Sequence, residues 1–81
     1  MENAYLEIEK NFEESEEKIL ELLREKKYFQ CRDELLKFNA VDIAELLETV
    51  MEEEDMSKAV MLFRTLPKDI SVDVFSHLDV D

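Results

Sequence analysis

The chain contains no glycine and a single proline, Pro67. Tight β-hairpin turns rely on residues that adopt φ > 0 at little cost, glycine above all. A sheet of short strands is therefore hard to close with this alphabet, whereas a helix needs no such residue in its interior. Leu, Glu, Lys, Ala and Met, all good helix formers, fill much of the sequence. These facts predict an all-α fold of about five helices with no β-sheet. With 81 residues there is room for one small domain, and such a chain buries only about 60% of the surface its unfolded form exposes. The core should be thin, though at 46% hydrophobic residues the composition is too apolar for a disordered chain.

Apolar spacing divides the chain. Residues 2–27 read as a first helical region, because Tyr5, Phe12 and Ile19 recur every seven residues with Ile8 and Leu22 on the adjoining row. The stripe is broken by EESEEK (13–18), which is either a solvated face of one long helix or a join between two. Lys26 and Lys27 would suit the negative end of that helix. A second helix spans Tyr28 to Lys37, with Phe29, Leu35 and Leu36 inward. Asn39 is a good N-cap with Asp42 in the first turn, for a third helix running to about Met51 with Val41, Ile43, Leu46, Leu47 and Val50. Asp55 or Ser57 can cap a fourth, carrying Ala59, Val60, Leu62, Phe63 and Leu66. Pro67 stops it and opens a fifth with Ile70, Val74, Phe75 and Leu78. A faint repeat links the third and fifth helices. Asp42-Ile43 matches Asp69-Ile70, and with one extra residue Leu46, Leu47 and Val50 fall on Val74, Phe75 and Leu78.

The net charge is −12, from 22 acids against 10 bases. Phosphate backbones and anionic headgroups would be repelled, so nucleic acid and membrane-surface binding are not expected. Basic partners or hard cations fit better. Cys31 has no second cysteine to pair with, which fits a reducing compartment. The first residues, MENAYLEIEK, carry acids where a signal peptide needs bases, and no apolar run reaches the ~18 residues of a membrane span. The chain is expected to be soluble.

No catalytic constellation is visible, and the chain is not read as an enzyme. A phosphate-binding loop needs glycine, and one Cys and one His are too few for zinc. His77 fits the end of a helix better than a metal site. Met51, Met56 and Met61 are gap-fillers of a thin core or a Met-rich binding surface. The chemical excess lies in the carboxylates, nine acids against two bases between Tyr28 and Met56. Like charges closer than the ~8 Å Debye length repel. A divalent cation can offset that repulsion, and Mg²⁺ commonly takes one or two carboxylates while keeping its waters. Two acidic faces would then associate when the ion is present. The other reading is a charged surface that keeps a small domain in solution.

LLKFNAVDIAELLETV (35–50) followed by KAVMLFRTLPKDISVDVFSHLD (58–79) resembles the N-terminal cytoplasmic domain of MgtE-type magnesium transporters. Val41 stands where alanine is usual, and residues 1–34 resemble the family only as a variable leading helical region. The resemblance implies a right-handed superhelix of short helices that senses intracellular Mg²⁺. Its acidic faces would be bridged by the ion to CBS domains of the same protein, closing a pore in a homodimer at the cytoplasmic face of the membrane. It points to Asp73, just before VFSHL, as an acid of that interface. Glu52, Glu53, Glu54 and Asp55 are further candidates from charge density. The resemblance also implies that this chain is a fragment ending before a following repeat. The expectation is an incomplete Mg²⁺ site and self-association through Phe75 and Leu78. The alternative is a soluble helical interaction scaffold resembling the flagellar motor switch protein FliG, which senses no ion.

Overall fold

The computed structural model describes the backbone over residues 4–78 and side chains over residues 11–78. Five helices follow one another: α1 (Ala4–Arg24), α2 (Tyr28–Leu35), α3 (Ala40–Glu53), α4 (Met56–Thr65) and α5 (Lys68–His77). No strand occurs among the described residues. The expected all-α class and helix number are what the chain adopts.

The polar interruption at 13–18 lies inside one continuous helix, α1. It is not simply a solvated face. Phe12, Ser15, Glu16, Ile19, Leu22 and Leu23 fall at the i, i+3, i+4, i+7 spacing of one helix face. Ser15 is buried on that stripe, Glu16 is half-buried, and Ile19, Leu22 and Leu23 enter the core. Phe12 meets Phe38 edge-on, with ring centroids 5.7 Å apart. Tyr5 and Ile8 lie outside the described side chains.

The end of α1 differs from expectation. The helix stops at Arg24, so Lys26 and Lys27 lie beyond it. Lys26 has φ 62, the left-handed conformation that glycine takes most easily. Its N–H donates to the Leu23 carbonyl (3.0 Å), and the Lys27 N–H to the Leu22 carbonyl (2.9 Å). That is the Schellman pairing of a helix end, built here without glycine.

In α2 the inward face is also shifted. Leu35 is fully buried, but Phe29 is 69% exposed and lies under the Arg32 guanidinium at 5.2 Å, while Leu36 sits at the surface. The partner of Leu35, one turn earlier, is Cys31, whose thiol donates to the Ile19 carbonyl at 3.6 Å. Burial pushes that thiol up to about 11, so it packs as a small hydrophobe rather than serving as a nucleophile.

The cap of α3 is the expected one, with Asn39 Oδ1 accepting from the Asp42 N–H at 2.9 Å. The helix runs two residues beyond Met51 and buries Ile43, Leu46, Leu47 and Val50, while Val41 stays exposed. α4 buries Ala59 and Leu62, with Leu66 following, whereas Val60 is exposed. Pro67 occupies the N-cap position of α5, which has no side-chain cap. α3 is central: α4 and α5 pack on it, and α1 touches it.

Candidate functional site

The EEED run is split by the fold. Glu54 is the C-cap residue of α3 and is largely covered. Its carboxylate takes Lys58 Nζ of α4 at 3.0 Å and Arg24 Nε of α1 at 3.4 Å. The Lys58 hydrogen bond first, then the charges of Lys58 and Arg24, outweigh the effect of burial and hold this carboxyl below its usual range. Asp55 caps α4: its Oδ1 accepts from the Lys58 N–H (2.9 Å) and from the Ser57 hydroxyl (2.7 Å). These bonds hold its carboxyl down as well. Glu54 thus joins α1, α3 and α4, while Asp55 caps α4. Glu52 and Glu53 are exposed at the end of α3.

Asp73 stands exposed on α5, one residue before the buried Val74. The five candidate acids do not converge: among the described residues no three His, Cys, Asp or Glu side chains form a group that could hold a metal ion. His77 is exposed in the last turn of α5, and Cys31 lies in the core.

What the structure does bring together is a different acidic surface. Glu16 of α1 and Glu45, Glu48 and Glu52 of α3 line one cleft with Phe12 and Thr49. Of the expected acids, Glu52 alone belongs to it. The Thr49 hydroxyl donates to Glu16 Oε2 at 2.9 Å and ties α3 to α1. Among the described residues no lysine or arginine lines this cleft. Its signal was present in the sequence, because Glu45, Glu48 and Glu52 are spaced i, i+3, i+7 and must share one face of α3. Glu16 could be added only once α1 was known to lie against α3.

A second carboxylate escaped the sequence reading. Glu34 of α2 is buried, accepts from the Ser15 hydroxyl at 2.9 Å, and is paired with Lys37 at 3.2 Å and Lys18 at 3.4 Å. Burial alone would raise its carboxyl. The Ser15 bond and the two ammonium groups outweigh burial, and the group lies below its usual range. This cluster clamps α1 to α2 with every partner satisfied, which is a structural role.

No helix among the described residues is long and apolar enough to cross a membrane. No protein-family model matches the chain, and neither a characterised protein nor a solved structure matches it.

Proposed function

We propose that this chain is a regulatory domain that senses intracellular Mg²⁺ by docking an acidic face onto another acidic surface across the ion. The observation that carries this reading is the cleft that Glu16, Glu45, Glu48 and Glu52 line together. Several carboxylates on one face without a convergent cage suit an ion that keeps several of its waters and takes one or two carboxylates. The resemblance of residues 35–79 to MgtE-type transporters supplies the partner surface, the CBS domains of the same full-length homodimer. It also supplies the setting, a right-handed helical superhelix at the cytoplasmic face of the membrane. In this reading Asp73 is a second contact, on the α5 side of the domain. The activity is gating by binding, with no chemical step.

Mn²⁺, a paramagnetic stand-in for Mg²⁺, tests the reading through line broadening in the amide NMR spectrum. Broadening concentrated on the outer face of α3 and on the Glu16 turn of α1, displaced by Mg²⁺ and weakened in Glu45→Gln/Glu52→Gln, is the expected result. Selective broadening around Asp73, lost in Asp73→Asn, would move the ion contact to α5. Uniform weak broadening over the whole acidic surface would leave an interaction scaffold that senses no ion.

A further inference from the structure

We propose that the pocket at the α1–α2 turn docks a short acidic segment of a partner protein that carries one large apolar side chain. This inference does not rest on the ion-sensing reading.

The apolar groove beside Phe75 has no charged residue in its lining and so selects no partner. The pocket at the α1–α2 turn combines apolar surface with charge. Tyr28 and Phe29 of α2 and Met61 of α4 line it together with Lys26 and Lys27. Phe29 is 69% exposed, and Met61 is exposed as well. Isolated exposed hydrophobes need no explanation, but neighbouring ones beside polar groups mark an interaction surface. The Phe29 ring is held in place by the Arg32 guanidinium at 5.2 Å, which is itself paired with Asp33 at 3.3 Å. The pocket volume is about 460 Å³, within the ~300–1,000 Å³ of ligand clefts. It has room for an aromatic side chain.

Charge decides the kind of segment. Lys26 and Lys27 line the pocket, and among the described residues no acid does. Lys27 Nζ is paired with Glu25 at 3.1 Å. Lys26 makes no ion pair with a described residue, which leaves its ammonium available. Its backbone is fixed at φ 62, where glycine would cost less, so the turn puts a cation where an unstrained residue would put none. The N-terminus of α2 has no side-chain cap, and its positive dipole end adds to the lysines at Tyr28 and Phe29. At the end of α1 the Leu22 and Leu23 carbonyls already accept from the Lys27 and Lys26 N–H groups. The opposing field comes from the last turn of α4, which contributes Thr65 to the pocket. The sequence divides in the same way. Residues 18–37 hold six bases against four acids, whereas the rest of the chain holds four against eighteen. An acidic segment is attracted here and repelled elsewhere, and it must be short because the basic zone is small. A nucleic-acid strand is a poorer occupant, since its charge runs on past two lysines onto an acidic surface. A second copy is poorer too, because two bodies of charge −12 repel.

The test uses the purified chain in EDTA at physiological salt. Mg²⁺ then cannot bridge an acidic peptide to the acidic cleft, and failure of ion sensing is read separately from failure of this pocket. The probe is a fluorescent Asp/Glu peptide with one central Phe, about six residues long and so roughly 20 Å when extended, followed by anisotropy. The controls are the same peptide with Ser in place of Phe and a thymidine oligonucleotide of equal charge. The peptide is expected to bind and to shift the amide NMR signals of Tyr28–Gln30 and of Met61–Thr65. Lys26→Gly should weaken binding about threefold, the scale of one surface ion pair. Because glycine suits that turn better, this variant melts no lower than the parent, and its loss of binding cannot be loss of fold. Phe29→Ser should weaken binding roughly tenfold, the loss of an apolar contact. Its ring is mostly in water, so circular dichroism should show that variant folded. No binding of the Phe peptide, equal binding of the Ser peptide, or unchanged binding by either variant would overturn the proposal. So would tighter binding of the oligonucleotide, or a dimer in sedimentation that Phe29→Ser dissociates, which would assign the pocket to a second copy.

Discussion

α3 and α5 carry a similar sequence pattern and meet different fates. Leu46 and Val74 are matching positions and both are buried, but Leu47 is 1% exposed and its counterpart Phe75 is 57% exposed. Val50 is buried, while Leu78 is only partly so. The pattern tells each helix which face is apolar. It does not say how many neighbours will cover that face. α3 has α4, α5 and α1 around it, whereas α5 packs principally against α3. The same amphipathic text therefore yields a core element in one place and an open groove wall in the other.

The comparison breaks most readily by truncation. Leu47→Ala should cost about 2–5 kcal/mol, a transfer term plus a cavity term, and Phe75→Ala under about 1 kcal/mol, because much of its ring is already in water. Urea melts of the two variants check this, and equal losses would mean that Phe75 is covered in solution. A domain of this size has only a few kcal/mol in reserve, so Leu47→Ala is expected to be largely unfolded at 37 °C.

Acid should loosen one region before the other. Glu34, Glu54 and Asp55 all have folded carboxyls held below their usual range. Their contribution is complete above the ordinary carboxylate range and is lost as pH falls through the lowered folded values. Glu34 clamps α1 to α2, Glu54 clamps α1 to the α3–α4 turn, and Asp55 caps α4. Protection of the α1 and α2 amides against exchange, relative to the intrinsic rate at each pH, should therefore fall on acidification more than protection within α3. Glu34→Gln should cost about 1 kcal/mol at neutral pH and flatten part of the acid dependence. Its lysine partners are more than half exposed, which keeps the loss small.

The smaller effects sit at helix ends. Asn39→Ala should remove about 1 kcal/mol by deleting the α3 cap. α5, with Pro67 and no side-chain cap, has nothing equivalent to lose. Native-state hydrogen exchange should accordingly find the α5 amides opening more often than those of α3. Lys26→Gly should stabilise by roughly 0.5–1 kcal/mol, since the left-handed conformation at that turn costs lysine more than glycine.

Legibility of the site followed the same division. The Asn39 cap and the Pro67 stop are local chemistry and could be read directly, and the α4 cap could be narrowed to Asp55 or Ser57, of which Asp55 serves. The polar interruption in α1 could be read as helix but not as contact. Ser15 and Glu16 occupy stripe positions, and only the arrival of Glu34 and Thr49 gives them partners. Within EEED, charge density treated four acids alike, yet Glu54 is a joint, Asp55 a cap, Glu52 part of the Glu16 cleft, and Glu53 exposed.

By itself the sequence determined the helical class, the number of helices, and the acidic character of the surface. Backbone conformational cost, side-chain capping and apolar period act over four or five residues, and all are written locally. Only the tertiary structure decided that Leu47 is core and Phe75 is groove, that Glu54 is a joint, and that Glu16 joins Glu45, Glu48 and Glu52 in one cleft. Burial and charge pairing depend on which distant helices meet, and no spacing within a single helix specifies that.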